Sequence, residues 1–320
     1  MKDRKAVFRF GSRSAVRLAD LALLVRAPAA LSVPGDVIAG ATAAGRPLSA
    51  RALGIVGSSV CRYWAGMALN DYADATVDAV ERPDRPVPSG RVARRTALAV
   101  AGGLTAAGLG LVAAAGGRRR LLGALLLTGL VWAYDLKLKS TQAGTAAMAG
   151  VRTLDVLAGA LAPGPGAVST GAALRRAALP AALVGAHTYT LMALSRHEIS
   201  GAPARLPVTT LAVSTATALA TALPATARAG TADTGPTEKA RTGLVPADAL
   251  ASLGAYGTAQ ARAAREPSGE NVRRAVGAGI LGLMPLQAAP TARAGSPVFA
   301  AALGVVHPLA RRLARRISPT

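Results

Sequence analysis

The chain has 320 residues, 51% apolar but only 3% aromatic, so its apolar mass is Ala, Leu, Val and Gly, suited to helices that pack closely in lipid. Lys and Arg number 37 against 16 Asp and Glu, a formal net charge of +21, which in a soluble chain would point to nucleic acid. The basic residues instead cluster between apolar runs, as in Arg118-Arg119-Arg120 and Arg311-Arg312, where they face lipid head groups, so no nucleic-acid partner is expected. Cys61, the single cysteine, excludes an intrachain disulfide.

Residues 1–17 read as a basic tail carrying Lys2, Arg4, Lys5, Arg9 and Arg13. No clear small-residue cleavage site follows, so no signal peptide is expected and residues 18–320 form one membrane domain. A spanning helix needs about 20 mostly apolar residues. Helices are predicted over 18–44, 52–74, 95–116, 119–135, 143–163, 172–194, 206–226, 272–292 and 296–312, which makes an all-α polytopic bundle of about nine transmembrane helices. The polar, turn-rich stretch 227–242 reads as an exposed loop. Residues 245–264, with Asp248 and Arg262 beside Leu253, Tyr256 and Ala259, read as an interfacial amphipathic helix or a poor span. With nine spans, the N-terminus and the loops after the second, fourth and sixth helices share one side. These carry Arg82, Arg85, Arg91, Arg94, Arg95, Lys137 and Lys139, so that side is expected to be cytoplasmic in a bacterial-type plasma membrane. The C-terminal Arg311, Arg312, Arg315 and Arg316 fall on the other side and weaken the bias.

The second predicted helix ends in Asn70-Asp71-Tyr72-Ala73-Asp74-Ala75-Thr76-Val77-Asp78. Asn70, Asp74 and Asp78 are four apart, which puts their oxygens on one helix face with Asp71 flanking them. Like charges at that spacing repel, and a hard cation would compensate them. Mg²⁺ takes oxygen ligands and commonly bridges one or two carboxylates to substrate phosphates. The next segment, Glu81-Arg82-Pro83-Asp84-Arg85-Pro86-Val87-Pro88-Ser89-Gly90-Arg91, is stiffened by its prolines. It holds Arg82, Arg85 and Arg91 near the acidic group, where guanidinium forks can grip phosphate oxygens.

Asn-Asp-x-x-Asp-x-x-x-Asp followed by Arg-Pro-x-Arg-Pro-Val-Pro-Ser-Gly-Arg closely resembles the first signature of the UbiA superfamily of intramembrane prenyltransferases. Val25-Arg26-Ala27-Pro28 resembles that family's opening Arg-Pro region, and Trp132-Ala133-Tyr134-Asp135-Leu136-Lys137-Leu138-Lys139-Ser140-Thr141 its Lys-ended loop after the fourth helix. The resemblance implies a nine-helix bundle around a central cavity, Mg²⁺ as cofactor, and a polyprenyl diphosphate donor with a lipophilic acceptor. On that reading Asn70, Asp71, Asp74 and Asp78 hold the metal with Glu198. Arg85 and Lys139 take the remaining diphosphate charge, and Arg82, Arg91, Lys137 and Arg196 supply further head-group contacts as the allylic C–O bond ionises.

The family's second aspartate-rich signature is altered here. Leu194-Ser195-Arg196-His197-Glu198 retains one acidic residue, and Leu194 stands four residues earlier, where an aspartate is expected. Leu194→Asp combined with Arg196→Glu is expected to put carboxylates at 194 and 198 on one helix face, remove the competing cation, and hold a second Mg²⁺ beside the diphosphate. This segment, with the late run Gly279 to Ala288, looks like the UbiA-like EboC branch, which implies a protein that binds or helps transport an isoprenoid compound with little catalysis. Arg152 and Asp155, three apart in the fifth span, are either a self-neutralised pair or a functional one. His187 and Tyr189 either line the cavity or pack, His197 is a helix-end histidine or a general base, and His307 is expected at the interface.

Overall fold

A computed structural model describes residues 16–164, 168–222, 247–248, 250–251, 253–294 and 296–314. The expected basic tail (all but its last two residues), the 227–242 loop, Arg315 and Arg316 lie outside these residues. The described elements are helical. In chain order they are α1 Leu18–Leu24, a 3₁₀ turn Ala29–Ser32, α2 Pro34–Ala43, α3 Ala50–Ala73, α4 Ala75–Glu81, α5 Arg94–Ala133 and a π-helical turn Tyr134–Leu138. There follow α6 Ala143–Ala160, α7 Thr170–Ser195, α8 Arg205–Ala222, a second π-helical turn Leu253–Gly257, α9 Thr258–Arg265, α10 Gly269–Arg293 and α11 Pro297–Ala314.

Local chemistry sets the helix starts. Ser49 and Ser169 lie just before α3 and α7, and each hydroxyl accepts the otherwise unpaired N–H three residues on, from Ala52 and Ala172. The sequence reads 95–116 and 119–135 as two helices, and α5 runs through both with a kink at Gly117. The backbone there has φ 75°, a left-handed value that glycine alone adopts without a Cβ penalty.

Among the described residues, three helices are long and apolar enough to cross a membrane: α5 with its π turn, α7 and α10. The α1–α2 pair, bent by 51°, would make a fourth. The other predicted spans coincide with α3, α6, α8 and α11. Two of these interrupt their apolar run with charges that face inward, Arg62 on α3 and Arg152 with Asp155 on α6, and α8 is rich in Thr. Length and hydropathy therefore do not establish nine crossings.

α3 packs chiefly against α5, α6 against α7 and α2, and α10 against α11, α7 and α2. α2 and α6 approach each other closely. A Cβ added to Gly159 would sit 2.1 Å from the Val37 carbonyl oxygen, and one on Gly40 would sit 1.8 Å from that of Val156. Both obstacles are backbone and cannot swing away. Gly159→Ala is therefore expected to destabilise the bundle by about 2–3 kcal/mol, read as a lower melting temperature in detergent. An unchanged melting temperature would mean the two helices do not touch there.

The 253–265 stretch is amphipathic as expected, with Arg262 and Arg265 exposed and its other face packed into the bundle. Tyr256 and Ala263 join Leu191, Leu194 and Val272 in one apolar cluster, and the Tyr256 hydroxyl lies 3.1 Å from that of Thr190.

Candidate functional site

A cavity of about 490 Å³ opens between α3, α5, α6, α7 and α10. Its mouth is charged and its interior walls are largely apolar. Five basic residues line the mouth, Arg26, Arg82, Arg85, Lys139 and Arg196, with Asn70, Asp74, Glu81, Asp135 and Glu198 among them.

The acidic helix end does not form one continuous stripe. The helix is interrupted at Asp74, and of the four acidic-motif side chains only Asn70 and Asp74 face the cavity. Asp71 and Asp78 are each 2% exposed and turn toward Arg85, whose Nη1 lies 3.5 Å from Asp71 and 2.8 Å from Asp78. Carboxylates this deep need cationic partners, and the proline-stiffened loop delivers Arg85 to both. Arg26 adds a second contact to Asp71 at 3.2 Å. It does so from φ 46°, the one left-handed non-glycine residue among those described, a strain of about 1–2 kcal/mol that turns the chain out of α1 and aims the guanidinium into the mouth.

Lys139 pairs with Asp74 at 2.5 Å, and Asn70 donates to Asp135 Oδ1 at 3.4 Å. The other Asp135 oxygen is buried with no hydrogen-bond partner. Asp135 lies within the segment that the family resemblance matched, but its own role was not foreseen. Its spacing was the available signal: Asp135 and Lys139 are four apart and share a face. Arg26 and Glu81, also on the cavity wall, were likewise missed.

Two expected head-group residues lie apart from the cavity. Lys137, two residues from Asp135, is exposed on the opposite side of its turn. Arg91 pairs with Asp20 at 3.2 Å and donates to the Asp84 carbonyl, tying the loop to α1. Arg91→Ala should leave diphosphate affinity within about twofold, while Arg85→Ala should weaken it at least about tenfold, roughly 1.4 kcal/mol. Titration with a non-hydrolysable diphosphate analogue checks both, and equal losses would contradict the placement.

The altered second signature resolves differently from expectation. Ser195 and Glu198 line the cavity with Leu191 and Met192, whereas Leu194 is fully buried in the α7–α9–α10 cluster. Glu198 is 5% exposed, lies 3.1 Å from Arg82, and its carbonyl accepts from Arg273 at 3.2 Å. Burial pushes its carboxyl above the usual range, opposed by Arg82 and Arg273. Burial likewise lowers Arg85, with Arg26 adding to it. Arg196 reaches across to donate to the Thr141 carbonyl. His187 is packed, with Nε2 2.9 Å from the Gly279 carbonyl, and Tyr189 faces outward. Arg152 is paired with Asp36, not with its helix neighbour Asp155.

Among the described residues, no three His, Cys, Asp or Glu side chains gather as a preformed metal cage. Asn70, Asp74, Glu81, Asp135 and Glu198 bring hard oxygens to the cavity wall, the kind that suit Mg²⁺ shared with phosphate and water, and of these Glu198 is already paired with Arg82. Counting Asp71 and Asp78 behind Arg85, carboxylates outnumber the five cations of the mouth.

A family model described as the UbiA prenyltransferase family matches residues 32–276. The chain is 45% identical over 109 residues to digeranylgeranylglyceryl phosphate synthase of Methanopyrus kandleri, covering 34% of this chain and 38% of that one. It is 34% identical over 179 residues to the synthase of that name from Ignicoccus hospitalis, covering 56% of each. The alignments thus span about half or less of these relatives' lengths. The apo structure of a UbiA homolog from Aeropyrum pernix K1 superposes with a TM-score of 0.62 at 20% identity, over 87% of this chain and 97% of that one, which is a likeness of fold.

Proposed function

Because the chain belongs to the UbiA prenyltransferase family, we propose that it transfers a polyprenyl group from its diphosphate to a lipophilic acceptor within the membrane. The observation that carries this reading is the cavity itself, with a mouth of guanidinium, ammonium and carboxylate groups above apolar walls. The matched relatives are named for a digeranylgeranylglyceryl phosphate product, which favours a geranylgeranyl donor.

Arg85 and Lys139 bind diphosphate oxygens, with Arg26, Arg82 and Arg196 around them. Asp71 and Asp78 position Arg85 and do not touch substrate. Asn70, Asp74 and Asp135 would hold Mg²⁺, which when bound neutralises the diphosphate and, as a Lewis acid, makes it a better leaving group. The allylic C–O bond breaks with its electron pair leaving on the diphosphate. The apolar walls, among them Val131, Met148 and Leu283, keep water from the allylic cation until the acceptor attacks it and loses a proton. The mouth lies on the cytoplasmic side, where the basic loops gather, and α1 with α2, α3, the two halves of α5, α6, α7, α8, α10 and α11 make nine crossings.

A second reading, a carrier that binds without turnover, is favoured by Glu198, which Arg82 already neutralises. Purified protein with Mg²⁺, geranylgeranyl diphosphate and membrane lipid extract separates them. Pyrophosphate release supports the transferase, tight binding without release supports the carrier, and absence of binding contradicts both.

A further inference from the structure

The inner end of the cavity carries a second polar group that the diphosphate site does not use. About 12 Å inward from Asn70, eight residues along α3 at 1.5 Å each, Arg62 reaches Asp155 of α6 at 3.4 Å, and Ser59 donates to the other Asp155 oxygen at 2.8 Å. Beside them Arg152 is held from behind: its Nε lies 3.0 Å from Asp36, and Gln287 of α10 donates to the same carboxylate at 2.6 Å. Arg62, Arg152 and Asp155 all line the cavity, and each is less than a tenth exposed. The pairing is loose: the Asp155 oxygen that Arg62 Nη2 approaches at 3.4 Å accepts no hydrogen bond, and Arg62 Nε donates none. The facing wall from α10, Val276, Ile280 and Leu283, is apolar.

The inner cavity is therefore two-sided, with a hydrocarbon wall opposite a wall holding the loosely paired Arg62 and Asp155. Two arginines and two aspartates cancel, so an anion placed there would bury a net charge, which is costly. A neutral group that both donates and accepts can hydrogen-bond to Arg62 and Asp155 together without adding charge.

Resting on the prenyltransferase reading above, we propose that Arg62 and Asp155 form a recognition site for the acceptor, and that the acceptor presents a neutral hydroxyl or comparable donor–acceptor group to it. The prenyl chain lies along the α10 wall, and any ionised group of the acceptor stays at the mouth.

Three phenols of nearly equal size, alike in their nucleophilic hydroxyl and different only at the opposite ring position, test this. They are hydroquinone (neutral, polar), p-cresol (apolar) and 4-hydroxybenzoate (anionic), each titrated into protein saturated with a geranylgeranyl thiolodiphosphate and Mg²⁺. The expected result is hydroquinone binding at least about tenfold tighter than the other two. Arg62→Met with Asp155→Leu removes both charges together. In that variant hydroquinone should lose its advantage to p-cresol, while affinity for the thiolodiphosphate stays within about threefold, showing the fold and mouth intact. Preference for 4-hydroxybenzoate, binding of none of the phenols, or unchanged discrimination in the double variant would overturn the proposal. Failure of the thiolodiphosphate itself to bind wild type would instead overturn the prenyltransferase reading.

Discussion

Leu194→Asp should cost about 3–5 kcal/mol of stability and supply no metal ligand, because the side chain it replaces is fully buried against Leu191, Tyr256, Ala263 and Val272. A carboxylate there has no cation within its apolar cluster and must either stay uncompensated or take up a proton. Ser195→Asp is the contrasting variant. Ser195 faces the cavity three residues before Glu198, and its hydroxyl gives up only a local bond to the Met192 carbonyl. It should fold nearly as well as wild type and take up more Mg²⁺ in the presence of a diphosphate analogue. Melting temperatures in detergent with Mg²⁺ stoichiometry decide the matter, and the reverse order would mean that α7 is rotated from the orientation described.

The second large effect is expected from Arg152→Met. Asp36 is completely buried, and Arg152 is its cationic partner, with Gln287 donating to its other oxygen. Removing one member of such a pair leaves a buried charge uncompensated, which costs about 3–5 kcal/mol. Arg152→Met combined with Asp36→Leu should recover most of that loss, because the charge is then removed as well. A double variant no more stable than the single one would show that the two residues are not coupled.

These two variants mark where the sequence was legible and where it was not. Apolar runs and turn residues locate the helices closely, down to the break at Gly117, because each depends on neighbours in the chain. The charged cavity mouth was legible for the same reason, since Asn70, Asp74, Arg82 and Arg85, which line it, lie within sixteen consecutive residues. What eluded sequence reasoning depends on how each helix is rotated and on what faces it. Arg152 and Asp155 look like a pair at helical spacing, yet their partners are Asp36 and Arg62 on other helices. Leu194 keeps an i,i+4 relation to Glu198, but α7 ends at Ser195, and the turn that follows sends Leu194 into the core and Glu198 into the cavity. Arg91 belongs to the same basic loop as Arg85, and a single acidic residue on α1, Asp20, diverts it.

The Asp74–Lys139 pair at the cavity mouth carries the central claim most directly. Asp74→Ala removes a carboxylate that faces the cavity and leaves the buried Asp71, Asp78 and Arg85 group untouched. The decisive measurement is the affinity of wild type and Asp74→Ala for geranylgeranyl thiolodiphosphate, with and without Mg²⁺. Wild type should bind at least about tenfold tighter with Mg²⁺ than without, and the variant should lose most of that gain, about 1.4 kcal/mol, with little change in melting temperature. An equal Mg²⁺ effect in both proteins, or none in either, would contradict a metal–diphosphate site at this mouth.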